Sequence, residues 1–231
     1  MAHRAFKDRI YAQFARVGNA LGSPRRLELL DLLAQAPRHV DALAAETDMS
    51  VASVSQHLQV LRNARLVEAD RQGTKVVYRL AKEEVLRLWL SLRAVAESRL
   101  PEVGLAAREF GVHAGAGPTL ARDELQRLVE QGAVMILDVR PALEFQHGHL
   151  PGAVSVPVAE LLARLAELPR DRQIALYCRG AYCLFADEAL AVLHQHGFQA
   201  YRLEGGWQEW LGEGRPTAAA PAAPAPAPGN S

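Results

Sequence analysis

The 231-residue chain is 49% hydrophobic and 23% charged, a balance that excludes a disordered polyelectrolyte, and it lacks the roughly 18-residue apolar run of a membrane span. It exceeds the usual size of one domain, so two are expected. The zero net charge conceals a basic half, with 16 Lys and Arg against 11 Asp and Glu over residues 1–100, and an acidic half, with 10 against 15, which suits a nucleic-acid contact made by the first half alone.

The opening "MAHRAFKDRI" lacks the apolar core of a signal peptide. A cytoplasmic, reducing location is therefore expected, with no membrane association, and the chain's two cysteines there point to chemistry more than to a permanent staple. Phe6, Ile10, Phe14 and Val17 recur at helical spacing and predict a first amphipathic helix. Ser23 and Pro24 then signal the start of a second helix, which Pro37 closes. "VDALAAET" forms a short third helix, and Ser50 caps a fourth in which Val51, Val54, Leu58 and Leu61 make one apolar stripe. Helix, tight turn and helix make a helix-turn-helix. "LVEADRQGTKVVYRL" reads as a hairpin turning at Gln72-Gly73, with Val76, Tyr78 and Leu80 alternating on the return strand. A fifth helix carries Val85, Leu88, Trp89, Leu92 and Val95, more apolar surface than so small a domain needs, so a partner helix should cover it.

These elements assign residues 1–100 to a DNA-binding and dimerisation domain. Residues 101–116, rich in Gly and Ala, are expected to be a linker, and 117–213 a second domain. There, the apolar runs "AVMILDV", "QIALYC" and "FQAYRL" alternate with helices and imply a parallel sheet buried on both faces. Residues 214–231, Pro/Ala-rich, are expected to be a tail without packed structure.

On the fourth helix the stripe turns Ser53, Gln56, Gln59 and Asn63 outward, with Ser55 and His57 at its margins. Such side chains suit base edges in a major groove. The plainer reading is a solvated helix with a packing histidine, but the adjoining turn and hairpin favour DNA. Residues 21–80 resemble the winged helix-turn-helix of the ArsR/SmtB repressors, through "LGSPRRLELLDLL" and "SVASVSQHLQVLRNARLVEADRQGTKVVYRL". The resemblance implies a homodimer through the first and fifth helices on double-stranded operator DNA. Arg62, Arg65, Arg71 and Lys75 become candidate phosphate contacts. Many such repressors sense metals through cysteines on the third helix or His and Asp on the last. This chain has no cysteine before Cys178 and no histidine on the fifth helix, so neither a metal nor another cofactor is expected.

"YCRGAYCLFADEAL" follows an apolar strand and opens a helix. Its Cys178 and Cys183 could form a disulfide, part of a metal site, a redox couple, or a nucleophile with a neighbour. The amides of Arg179, Gly180, Ala181 and Tyr182, the helix N-terminus and the Arg179 charge should lower the Cys178 thiol pKa. With "ILDVRPALEFQHGHLPGAVSVP" before it and "YRLEGGWQEW" after it, this loop resembles a rhodanese domain. The resemblance implies sulfur transfer through a Cys178 persulfide, from a sulfane-sulfur donor to a thiol acceptor, with Asp138, Arg140, Glu144 and His149 as scaffold. Cys183 then either resolves the persulfide or packs as a small apolar residue. The function expected is a repressor that senses reactive sulfur through these cysteines. The alternatives are a sulfurtransferase with a DNA-tethering domain, a repressor with an idle appendage, and an arsenate-related regulator or reductase.

Overall fold

The chain divides between Gly104 and Leu105 into two units, and the computed structural model describes residues 2–112 and 118–219. In the first unit α1 (Ala2–Leu21) precedes α2 (Pro24–Leu33). Ser23 has the extended backbone of an N-cap but makes no side-chain capping bond, so the fixed φ of Pro24 is what sets the helix start. β1 (Arg38–His39) leads into α3 (Val40–Thr47). Asp48, in the left-handed region at φ 50°, turns the chain towards α4 (Val51–Asn63), and Ser50 caps α4 by accepting from the Ser53 amide at 3.2 Å. Leu29, Leu30, Leu43, Val54, Leu58 and Leu61 form one buried core. Val51 does not join it and is 47% exposed, since it occupies the first position of α4, one turn ahead of Val54.

β2 (Val67–Gln72) and β3 (Lys75–Leu80) pair antiparallel with Gln72 opposite Lys75. The turn therefore lies at Gly73-Thr74, where Gly73 supplies the positive φ of 63°. The return strand also departs from its expected alternation. Tyr78 and Leu80 pack on the core, but Val76 is exposed and Val77 is buried, because β1 adds a third strand beside β3 and pairs His39 with Val77. α5 (Glu83–Arg99) buries Val85 and Leu86 and leaves Leu88 and Val95 exposed.

The expected linker is helical over α6 (Pro101–Glu109). Pro101 opens it, and the Leu, Ala, Arg and Glu residues that follow outweigh Gly104. Residues 113–117, which include the start expected for the second domain, lie outside the described residues.

Among the described residues the second unit has five strands: β4 (Thr119–Leu120), β5 (Val134–Asp138), β6 (Val154–Ser155), β7 (Gln173–Tyr177) and β8 (Ala200–Leu203). They form a parallel sheet in the order β4-β8-β7-β5-β6. Helices α7 (Arg122–Glu130), α8 (Ala142–His147), α9 (Val158–Leu161), α10 (Leu184–Gln195) and α11 (Trp207–Gly212) connect or follow them. β7 is the central strand and its core positions are buried throughout. From β5 the chain runs to one edge of the sheet and from β7 to the other, so a crevice opens at the carboxyl ends of this pair.

The Pro/Ala-rich end is packed as far as it is described. Trp210 Nε1 donates to the Pro216 carbonyl at 2.7 Å, His149 and Ala218 exchange backbone bonds, and the Arg215 guanidinium lies over the Trp210 ring and pairs with Asp123. These anchors correct the expectation of a free tail from residue 214, while residues 220–231 lie outside the described residues. Among the described residues no helix is long and apolar enough to cross a membrane.

Candidate functional site

Cys178 follows directly on β7, and Cys183 is the N-cap of α10. The two are joined as a disulfide with Cα atoms 6.3 Å apart, within the range that disulfides span. Cys178 is 1% exposed and Cys183 packs part-buried against the same core. A nucleophilic Cys178 thiolate thus belongs to the reduced dithiol state. The loop returns on itself through the Cys183 amide, which donates to the Gly180 carbonyl at 3.2 Å. No side chain caps α10, so its N-terminal amides face the cysteine loop with their partial positive charge available to a sulfur anion.

Arg179 has a carboxylate partner of its own. Its guanidinium is held by the buried Glu144 carboxylate, Nη2 to Oε1 at 2.5 Å and Nε to Oε1 at 2.9 Å, and it lies 5.6 Å from the Phe185 ring centre. Burial of Glu144 makes this pairing obligatory, because an unpaired carboxylate there would be costly. The pair ties α8 to the cysteine loop, across the crevice between β5 and β7.

A second buried pair lies beneath it. Arg140 and Asp138 are both fully buried, and the Arg140 guanidinium binds the carboxylate through Nη2 at 2.6 Å and Nε at 3.1 Å and donates to the Gly148 carbonyl at 2.7 Å. Burial alone would lower the Arg140 pKa, but the hydrogen bonds and charge of Asp138 outweigh it and raise it. Burial, and then the Asp138 charge, push Tyr177 well above its ordinary value. Its phenol stays protonated, donates to Asp138 and accepts from the Leu150 amide at 3.1 Å. His149 is stacked on Phe145 with its Nδ1 2.9 Å from the Phe145 carbonyl. The neighbouring His147 is held below its ordinary pKa by burial and by the Arg140 charge.

Three loop supports escaped the sequence reading. Arg202 on β8 donates to the Ala181 carbonyl at 2.9 Å and pairs with Asp187 on α10 at 2.7 Å. The Ala181 amide faces the Glu209 carboxylate at 3.4 Å. Gly206 presses on the loop so closely that a Cβ there would meet the Cys178 carbonyl at 2.5 Å and the Gly180 amide at 2.7 Å. Arg202 could have been suspected, since a cation stands inside the apolar run "AYRL". Gly206 could not, because its backbone is extended at φ −178° and only tertiary contact demands a glycine. Both obstructing atoms are backbone and cannot rotate away. Gly206→Ala is therefore expected to displace the loop and slow closure of the Cys178–Cys183 disulfide on the order of a hundredfold, with unit 2 still folded by circular dichroism.

In the first unit Ser55, Gln56 and Gln59 are exposed on α4, while Ser53 and His57 are half-buried. Ser53 Oγ lies 3.9 Å from the Met49 sulfur, which turns it inward. Gln59 donates to Asn63 at 2.8 Å, and the Asn63 carbonyl accepts from Arg16 of α1 at 2.6 Å. Arg62, Arg65, Arg71 and Lys75 are exposed. Arg71 Nε donates to the Gly73 carbonyl at 3.2 Å across the hairpin turn. Neighbouring Arg79 is neutralised by Glu68 and Asp70.

Residues 23–69 match the family of bacterial regulatory proteins called arsR, and residues 121–213 match the rhodanese-like domain. An HTH-type transcriptional regulator of Mycobacterium tuberculosis, Rv0324, is 46% identical over 204 residues, which cover 88% of this chain and 89% of that one. A sulfurtransferase of Allochromatium vinosum is 33% identical over 95 residues, 41% of this chain and 87% of that protein. Among solved structures, the homodimeric winged helix-turn-helix DNA-binding domain of a possible ArsR-family regulator from Mycobacterium bovis is 47% identical, covering 41% of this chain and 87% of that one, with a TM-score of 0.39. The order of the two matched segments agrees with the two units of the fold, and the match to the mycobacterial regulator runs through both. The chain belongs to the arsR family of bacterial transcriptional regulators and carries a rhodanese-like domain after its winged helix.

Proposed function

We propose that the chain is a DNA-binding repressor whose rhodanese-like unit senses reactive sulfur through Cys178 and Cys183. The observation that carries this reading is the pairing of the chain's only two cysteines across the loop that joins the central strand to α10. In the dithiol state, Cys178 attacks the outer sulfur of a persulfide donor, forms a new S–S bond and expels the donor thiolate. The Cys183 thiolate then attacks the Cys178 sulfur, the bond to the outer sulfur breaks, and hydrosulfide leaves. Two thiols are oxidised, one sulfane sulfur is reduced, and a Cys178–Cys183 disulfide is the product. A dithiol reductant restores the sensor.

α4 would enter the major groove of operator DNA with Ser55, Gln56 and Gln59, and Arg62, Arg71 and Lys75 would contact phosphates. A second copy of the chain would cover the apolar faces of α1 and α5. Phe6 and Phe14 are each 62% exposed, with Tyr11 and Val95 similarly uncovered, a patch too large for an isolated soluble unit. Phe14→Glu is expected to leave the chain monomeric in sedimentation equilibrium and to cost it operator affinity; a stable dimer in that variant would place the interface elsewhere. The sensing reading is tested by titrating operator DNA with reduced protein before and after treatment with a persulfide donor. Operator affinity that does not change would refute it.

A further inference from the structure

Cys178 and Cys183 are held by different parts of the second unit. Cys178 is buried in the core, where the Trp207 amide donates to its carbonyl at 2.9 Å and the Gln208 amide donates to the Arg179 carbonyl at 3.1 Å. Cys183 is part-buried, and one side chain grips the backbone on one side of it and the helix on the other. Arg202 Nη2 donates at 2.9 Å to the carbonyl of Ala181, two residues before Cys183, and Nη1 pairs at 2.7 Å with Asp187, four residues after it. Four residues is about one helical turn, so Asp187 stands over the start of α10, where Cys183 is the N-cap. Arg202 is itself buried and lies opposite Leu176 in the parallel register of β8 and β7, two residues before Cys178. Leu176, Cys178 and the Arg202 side chain therefore share one face of the sheet, the face on which α10 packs. The planar guanidinium reaches loop and helix at once through different nitrogens, a geometry that a lysine ammonium does not reproduce. Arg202 is thus a strut from the sheet beside Cys178 to the helix start that carries Cys183.

Resting on the resolving role given to Cys183 above, we propose that Arg202 is the residue that positions Cys183 for attack on the Cys178 sulfur. It acts through the chain on either side of Cys183 and sets the effective concentration of one thiol at the other.

The test equilibrates the full chain with reduced and oxidised glutathione, so it needs no sulfur donor. Two electrons pass from the two cysteine thiols to glutathione disulfide, the Cys178–Cys183 bond forms, and two glutathione thiols are released. Mass spectrometry after acid quenching measures the dithiol and the disulfide, and their ratio gives the effective concentration. Arg202→Lys keeps a charge for Asp187 but gives up the second contact, and it is expected to lower the effective concentration about tenfold. The double variant Arg202→Met with Asp187→Asn loses both contacts without stranding a buried charge, and a fall of about a hundredfold is expected. In a Cys183→Ser background the same substitutions are expected to have a much smaller effect on the rate at which Cys178 forms a mixed disulfide with glutathione. An unchanged effective concentration would overturn the inference. So would an equal loss in the Cys178 exchange rate, because Arg202 would then support the whole loop instead of placing Cys183. The sulfur-sensing reading stands or falls separately, on the operator titration described above.

Discussion

Cys178→Ser is expected to reduce sulfur loading to background, a fall of at least about a thousandfold, while the operator affinity of the untreated protein stays unchanged. The size follows from the chemistry, because a serine hydroxyl is not ionised near neutral pH and Cys183, the remaining thiol, is the resolving group and not the acceptor in this mechanism. Basal affinity should survive because Cys178 lies in the core of the second unit, while α4 and the hairpin belong to the first. Cys183→Ser separates the two steps. It should still accept sulfur at Cys178 but retain the persulfide, since no thiol remains to expel hydrosulfide. Loading of Cys178→Ser at the unsubstituted rate would remove Cys178 from the mechanism.

Asp138→Ala is expected to cost about 3–5 kcal/mol of stability in the second unit, the usual result of leaving one member of a buried ion pair alone. Asp138 receives the Arg140 guanidinium and the Tyr177 hydroxyl in a site with no exposure to water, so its loss strands a buried cation and a buried phenol together. Urea unfolding followed by tryptophan fluorescence reads this directly, since Trp207 and Trp210 are buried in that unit. Asp138→Asn keeps hydrogen-bond acceptance without the charge and should cost less. Arg79→Ala provides the contrast: its partners Glu68 and Asp70 are about half exposed, and such pairs contribute at most about 1 kcal/mol. Similar losses from Asp138→Ala and Arg79→Ala would mean that the buried pair does not organise the sheet edge.

The elements legible in the sequence were those whose signal is local. "VDALAAET" matches α3 residue for residue, Ser50 caps α4, and the apolar runs of the second unit are β5, β7 and β8. The elements that escaped are those created by tertiary contact. β1, β4 and β6 have two residues each, too short for any periodicity, and exist only because a longer strand pairs with them. The helix at 101–109 was hidden by Gly104 and by the Gly-rich residues that follow it. At the cysteine loop, residue types and order put the two cysteines between a strand and a helix, but the partner of Arg179 lies 35 positions away in Glu144. Its charge looked available in sequence and is bound in the fold. The crowding of Gly206 against the Cys178 carbonyl was invisible for the same reason.

The central claim is that the sulfur state of Cys178 and Cys183 governs DNA binding. The most direct measurement is the operator affinity of one preparation in two states, reduced dithiol and donor-treated, with the Cys178–Cys183 species in each identified by mass spectrometry. The account predicts that donor treatment converts the dithiol to the disulfide with release of sulfide, that operator affinity falls as it does so, and that a dithiol reductant restores both. Equal affinity in the two states, with the disulfide fully formed, would contradict it.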